Sequence, residues 1–167
     1  SNIFMQDLKN NDITQITKNR HINTSPSFSP DNEWLVFSSD RAGNQNLYIK
    51  KISTSMTEKA KRISYGEGNY ATPAWSPRGD YIAFTKTYRN EFYIGLMKQD
   101  GSDERIISKG YLTESPSWSP NGRTLVFNKI IKKNNNLVSS IFTIDITGNL
   151  EKKLTTPDEA SDPDWGP

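Results

Sequence analysis

Short apolar runs recur along the chain and are separated by polar, turn-forming stretches. Residues 34–37 (WLVF), 81–84 (YIAF) and 124–127 (TLVF) are such runs, rich in β-branched and aromatic side chains. Each follows a Pro with Asp, Asn or Gly close behind it, a combination that favours a tight turn. Because apolar and polar positions do not alternate within the runs, we predict strands that are buried on both faces.

A six-residue motif with Pro on either side of an aromatic residue occurs four times without gaps, at residues 25–30, 72–77, 115–120 and 162–167. The aromatic positions lie 47, 43 and 47 residues apart. Repeats of this length are typical of β-propellers, in which each blade is a four-stranded sheet. Because their place in the repeat does not vary, we predict that the aromatic residues pack between blades: Phe28, Trp75, Trp118 and Trp165.

The rest of each repeat supplies two more strands, a third at 47–49, 92–94 and 141–144 and a polar fourth at 62–64, 105–108 and 153–155. The polar fourth strand suits an outer edge. The predicted fold class is therefore all-β: a β-propeller fragment of four-stranded antiparallel blades, with full blades at 24–64, 71–108 and 114–155. We expect 1–17 to be the last strands of a preceding blade and 162–167 the first strand of a further one, so that 1–167 form a partial propeller, cut at both ends.

Composition and candidate chemistry argue against several functions. The apolar fraction of 33% and the absence of a long apolar run argue against membrane insertion, and a net charge of +2 argues against nucleic-acid binding. The chain has no cysteine and one histidine, His21, which we predict to be an exposed loop residue. Four carboxylates near the C-terminus are too sparse for a calcium loop, and residues 66–68 (GEG) lack a strand-to-helix context for phosphate binding. We therefore expect no enzyme activity, no cofactor and no metal.

The alternating strand direction within a blade places two sets of connections on one face. These are the loops that lead into the first strands and the connections between the second and third strands, at 40–44, 87–91 and 129–139. Residues 40–44 (DRAGN) are predicted to be a hairpin with an Asx-type turn and a Gly at positive φ. Residues 129–139, with three lysines, are predicted to be a long, mobile, solvated loop; the alternative is a loop that binds an acidic partner.

The repeat resembles that of the TolB family of propeller proteins of the Tol-Pal envelope system. Residues 38–44 (SSDRAGN), residues 111–117 (YLTESPS) and the Pro–x–Trp–x–Pro ending at 163–167 carry the resemblance most specifically. It covers essentially the whole chain. It implies the C-terminal half of a six-bladed propeller in a periplasmic, non-enzymatic, protein-binding protein that supports outer-membrane integrity and envelope constriction at division.

The resemblance also implies partners and a binding surface. The partners would be the peptidoglycan-associated lipoprotein Pal and inner-membrane Tol proteins. At the position that matches Thr24–Ser25, the family has a Thr-Glu pair that contacts the partner, and here Ser replaces Glu. Applied to each repeat, the implied partner-binding residues are Thr24, Ser25, Ala71, Thr72, Glu114 and Ser115.

Other interpretations stay open at this level. The same repeat occurs in the propeller domains of prolyl-oligopeptidase-like serine hydrolases, which a neighbouring α/β-hydrolase domain would reveal. A glycan-binding or sensor propeller would need exposed aromatic residues on one face, for which the candidates are Trp34, Tyr70, Tyr88 and Tyr111. Open blade faces at both ends also predict a homodimer formed through them.

Overall fold

The computed structural model describes residues 1–52 and 58–165. Within these ranges the chain forms strands and turns, and no helix there could cross a membrane. The strands are β1 (Phe4–Gln6), β2 (Ile13–Gln15), β3 (Asn23–Phe28), β4 (Trp34–Ala42), β5 (Asn44–Lys51), β6 (Lys61–Arg62), β7 (Asn69–Trp75), β8 (Ile82–Tyr88), β9 (Glu91–Met97), β10 (Arg105–Gly110), β11 (Thr113–Trp118), β12 (Thr124–Lys133), β13 (Asn136–Asp145) and β14 (Lys152–Lys153).

The strands form three four-stranded antiparallel sheets and one two-stranded pair. Blade 1 has the order β3-β4-β5-β6, blade 2 the order β7-β8-β9-β10 and blade 3 the order β11-β12-β13-β14. The N-terminal strand pair, β1-β2, stands before blade 1. Each sheet follows the chain without a crossover, as in propeller blades. The predicted fold class, a propeller fragment of four-stranded antiparallel blades, is confirmed.

The hydrophobic core lies between neighbouring sheets. One buried cluster joins Val36 and Ile49 of blade 1 to Trp75 and Phe84 of blade 2. A second cluster joins blades 2 and 3, and a third joins the N-terminal strand pair to blade 1. Successive residues of a strand point to opposite faces, so β4 and β8 each contribute to two clusters. In β12, Leu125 and Phe127 belong to the second cluster, and Val126 on the other face is also buried. The predicted burial of the second strands on both faces is confirmed.

The repeat aromatics differ in burial. Trp75 and Trp118 are 7% and 8% exposed and belong to the clusters between blades, as predicted. Phe28 is 46% exposed and Trp165 is 39% exposed, so the prediction of inter-blade packing is wrong for these two. Phe28 faces the N-terminal strand pair, in which no first strand covers it among the described residues.

Two predicted strand positions also differ. Residues 162–165 are not a strand, because no second strand pairs with them among the described residues, and 166–167 lie outside those residues. The fourth strands β6 and β14 lie at 61–62 and 152–153 rather than 62–64 and 153–155. In blade 1 the hydroxyl of Ser64, not its backbone, accepts the N–H of Leu47 at 2.9 Å, which ends the ladder. Residues 53–57 of the predicted first blade lie outside the described residues.

Candidate functional site

A β-bulge interrupts the first strand of every blade at the same repeat position. In blade 1, Thr24 pairs with Ser38 and Ser27 with Val36, so two residues, Ser25 and Pro26, stand opposite one. The equivalent register shifts lie between Ala71 and Ala74 in blade 2 and between Glu114 and Ser117 in blade 3. Bulges reorient the side chains that follow them and are common beside functional surfaces.

The residue before the first Pro of each repeat motif has left-handed backbone geometry. The φ angles are 52° at Ser25, 42° at Thr72, 57° at Ser115 and 50° at Asp162. A residue before Pro normally adopts an extended conformation, and a positive φ is unusual for a β-branched residue such as Thr. Because the left-handed conformation recurs at four equivalent positions, the repeat imposes it, and packing between blades offsets its energetic cost.

Hydrogen bonds between neighbouring repeats hold these segments in place. The hydroxyls of Thr72 and Thr85 are 2.7 Å apart, and Thr85 Oγ1 also accepts the N–H of Ser115 in blade 3 at 3.2 Å. Two residues further along the repeat motif, Ser117 Oγ donates to Asp164 Oδ1 at 2.5 Å. The bulges are therefore fixed relative to one another.

The bulges line one open groove of about 600 Å³, which we call the bulge groove. Of the predicted partner-binding residues, Ser25, Thr72 and Ser115 line it, together with Asp162. The other three pair with the second strand next to the bulges and do not line the bulge groove; they are Thr24, Ala71 and Glu114. All six are partly buried, so each is accessible and held by its neighbours.

A buried position just before each predicted pair was missed by sequence reasoning, and it is occupied by Asn23, Tyr70 and Thr113. The amide of Asn23 donates to the carbonyl oxygens of Ser1 and His21, each at 2.9 Å, and accepts from Arg41 Nη2 at 2.8 Å. These bonds anchor the loop that leads into blade 1. The residue type changes from blade to blade, so no motif marked the position.

In blade 2 the same position holds a charged cluster. Tyr70 donates its hydroxyl hydrogen to Glu104 Oε1 at 2.7 Å and accepts from Lys86 Nζ at 2.7 Å. Lys86 also lies 3.0 Å from that carboxylate oxygen. Burial, with the neighbouring Glu104 carboxylate, raises the pKa of Tyr70 well above its usual range, so the phenol stays protonated.

The connections between second and third strands are tight hairpins. Residues 40–44 turn at Gly43, with φ 95° as predicted, but the Asp40 carboxylate accepts the N–H of Ile22 at 2.9 Å instead of forming an Asx-type turn. The prediction of a long mobile loop at 129–139 is wrong. β12 and β13 pair up to Lys133 and Asn136, and the turn residues Asn134 and Asn135 have φ of 49° and 65°, as in a two-residue type I′ turn.

The remaining candidate residues show no catalytic or glycan-binding arrangement among the described residues. His21 is exposed in its loop, as predicted, with Nδ1 3.5 Å from Asp40. No three potential metal ligands converge within the ranges 1–52 and 58–165. Of the candidate glycan-contacting aromatics, Tyr70 is fully buried, Trp34 and Tyr88 are partly buried, and Tyr111 is exposed. They do not form an exposed aromatic platform.

Comparison with known proteins gives a consistent result. The model of the TolB beta propeller domain matches residues 1–167. A Tol-Pal system protein TolB of Wolbachia pipientis wMel is 47% identical over 121 residues, which are 72% of this chain and 28% of that protein. One of Gluconobacter oxydans is 45% identical over 62% of this chain and 24% of that protein. The crystal structure of TolB from Acinetobacter baumannii superposes with a TM-score of 0.81 at 23% identity, over 98% of this chain and 40% of that one.

The chain thus spans about a quarter of the length of the curated relatives it matches. The family model covers every position of the sequence, including all four copies of the Pro–x–aromatic–x–Pro segment. The structural comparison supports the same blade architecture. The chain belongs to the TolB beta propeller domain family.

Proposed function

We propose that this chain is the protein-binding propeller part of a Tol-Pal system protein and that it binds the peptidoglycan-associated lipoprotein Pal without catalysing a reaction. The observation that carries the proposal is the family match over the whole chain, together with relatives named as Tol-Pal system proteins.

The proposed binding surface is the tip face, defined as the face that carries the first-strand bulges and the tips of the hairpins between second and third strands. A partner docked there would contact the residues that the family resemblance implies, which are Thr24, Ser25, Ala71, Thr72, Glu114 and Ser115. Their positions are fixed by the bulges and by the hydrogen bonds of Thr85, one within blade 2 and one to blade 3, so the surface is ordered before binding. Preorganisation of this kind lowers the entropic cost of association.

The proposal includes a location and a wider role. The protein would act in the periplasm, link Pal to inner-membrane Tol proteins, and so support outer-membrane integrity and envelope constriction at division. We also propose that this chain pairs with a second copy through its open N-terminal face, where Phe4, Ile13 and Phe28 are exposed. Phe28→Ser should then shift a dimer to monomer in sedimentation experiments, and a wild-type monomer at high concentration would contradict the pairing.

Titration calorimetry with the soluble domain of Pal tests the binding proposal. Glu114→Lys changes a partly buried side chain on the tip face and should weaken binding by roughly tenfold or more. The matched control is Glu33→Lys, a residue just before the opposite end of β4 whose only ion pair among the described residues is an exposed one with Lys51. If the wild-type protein shows no binding at micromolar concentrations, the proposal is wrong.

A further inference from the structure

The hairpin between β12 and β13 projects further from the tip face than its equivalent in blade 2. β12 runs to Lys133, six residues past Phe127, whereas β8 ends at Tyr88, four residues past the equivalent Phe84. At about 3.4 Å per residue in an antiparallel strand, the difference is about 7 Å. We call residues 130–139 the blade 3 arm.

The arm extends beyond its neighbouring strands. The last pair between β11 and β12 is Thr113 with Lys129, and β14 pairs with β13 only at Phe142 and Thr143. Three hydrogen bonds hold the base of the arm. The N–H of Ile130 donates to the carbonyl of Leu112 at 2.8 Å, Ser139 Oγ donates to the carbonyl of Ala160 at 2.9 Å, and the N–H of Ala160 donates to the carbonyl of Ser139 at 3.4 Å. Among the described residues, positions 131–138 have only each other as strand partners.

The side chains of the arm combine apolar surface with unpaired positive charge. Lys132 stands opposite Leu137, whose side chain is 57% exposed. Tyr111, next to Leu112 at the base, is 67% exposed. Neighbouring side chains on a strand point to opposite faces, so Lys132 and Leu137 share the face opposite to Lys133.

The unpaired state of Lys132 distinguishes it from other lysines near this face. Lys86, Lys109 and Lys129 each lie within 3.0 Å of a carboxylate oxygen, on Glu104, Glu91 and Glu151 respectively. Lys132 and Lys133 form no ion pair with any described residue, although Lys133 shares a groove with Asp158 and Glu159. Near this face, the three lysines at the blades are therefore neutralised by carboxylates, whereas the two lysines of the arm have no carboxylate partner among the described residues.

We propose that the blade 3 arm is a docking arm for a folded protein whose surface is acidic around a shallow apolar depression. Leu137 would enter the depression, Tyr111 would contact its rim, and Lys132 would pair with a carboxylate of the partner. This combination of an apolar anchor with charge at its edge is typical of protein interfaces. The inference rests on the proposed function and adds the chemistry of the surface that the partner must present.

A protein fits the arm better than an anionic membrane does. Membrane surfaces are recognised by clusters of about four to eight basic residues. The arm carries two unpaired lysines on opposite faces, so a flat anionic surface could contact only one of them well. A partner with a complementary shape can contact both Leu137 and Lys132 because they lie side by side.

Binding of the soluble domain of Pal, measured by calorimetry at low and high ionic strength, tests the arm with two matched pairs of variants. Lys132→Glu is compared with Lys152→Glu, an exposed lysine on the outer strand β14 of the same blade. Leu137→Ser is compared with Leu150→Ser, another exposed leucine of blade 3 that lies outside the arm. We expect each arm variant to weaken binding by roughly three- to tenfold and its control to leave affinity unchanged. Lys132→Glu should also reduce the dependence of affinity on salt.

The outcomes separate this inference from the proposed function. If wild-type protein does not bind Pal, the proposed function fails, and the arm inference fails with it. If wild-type protein binds and the arm variants bind equally well, only the arm inference is overturned. Binding to vesicles that contain anionic phospholipid, lost in Lys132→Glu while Pal affinity is unchanged, would overturn it in favour of a membrane contact.

Discussion

The indole N–H of Trp118 donates a hydrogen bond to the carbonyl oxygen of Ala74 in the neighbouring blade, at 2.9 Å. Trp75 occupies the same repeat position, yet its indole nitrogen is buried without a partner. The two tryptophans thus provide the same apolar packing and differ in one hydrogen bond.

This difference predicts unequal effects of the same substitution. Trp118→Phe removes the hydrogen bond to the Ala74 carbonyl, whereas Trp75→Phe removes a donor that has no partner. We expect Trp118→Phe to lower the free energy of unfolding by about 1 kcal/mol more than Trp75→Phe. Urea denaturation followed by circular dichroism measures both, and equal losses would contradict the assignment.

The close approach of Gly101 to blade 1 gives a second prediction. Gly101 has φ 88°, and a Cβ there would overlap the carbonyl oxygen of Ile63. Gly43 has φ 95° with open space around it, so it isolates the cost of the backbone conformation alone. Gly101→Ala should therefore cost about 3 kcal/mol of unfolding free energy and Gly43→Ala about 1 kcal/mol. A similar cost for both would mean that the blades do not meet at Gly101.

The hairpin turns of blades 2 and 3 allow a reciprocal exchange. Arg89 and Asn90 have φ of 50° and 62°, the same geometry as Asn134 and Asn135. Asn tolerates the left-handed region better than Arg does. Arg89→Asn should raise the free energy of unfolding by about 0.5–1 kcal/mol, and Asn134→Arg should lower it by a similar amount. The thermal unfolding midpoint of each variant, which should shift in the same direction, measures the change. Changes of the same sign in both hairpins would argue against the type I′ geometry.

The turn after β13 predicts a dependence of stability on pH. A hydrogen bond from the Thr147 hydroxyl, aided by the N–H groups of Leu150 and Asn149, lowers the pKa of Asp145 below its ordinary value. Because the folded-state pKa is depressed, this stabilisation is complete above the unfolded value of about 3.9 and is lost as pH falls through the folded value.

We therefore expect wild-type protein to be more stable than Asp145→Asn at neutral pH, and the difference to narrow below about pH 4. Urea denaturation over a pH series tests this. Asp158→Asn serves as the control, because its carboxylate makes no hydrogen bond among the described residues. A difference that stays constant with pH would show that the charge of Asp145 is not responsible.

The strand order and the location of the core could be predicted from the sequence, because both depend on the repeat itself. The four-residue runs at 34–37, 81–84 and 124–127 contain apolar residues of the clusters between neighbouring sheets, and the first two runs contribute to the clusters on both of their sides. The burial of Phe28 could not be predicted in this way, because it depends on which strands lie opposite. An aromatic residue of the repeat is buried only where the neighbouring sheet includes the strand that would cover it.

The candidate site was only partly predictable. The pairs at 24–25, 71–72 and 114–115 could be placed on one face from strand direction, but the left-handed conformation of Thr72 contradicts its local preference and is imposed by the bulge. The sequence predicts a loop at 129–139 instead of a hairpin, because the two turn residues, Asn134 and Asn135, lie within a longer polar stretch. The burial of Tyr70 could not be predicted from the repeat, because its counterparts are Asn23 and Thr113, which are also buried but differ from it in chemistry.

The three buried clusters each take their side chains from two adjacent sheets, so no blade has a core of its own. Folding should then spread from blade to blade, with each new sheet stabilised by the interface it forms with the one before. Blades 1 and 2 each have such an interface on both sides, but only blade 2 lies between two four-stranded sheets, and the N-terminal strand pair has one interface among the described residues. Amide protons in β8 are therefore expected to exchange last, while unfolding begins at the N-terminal strand pair and proceeds inward.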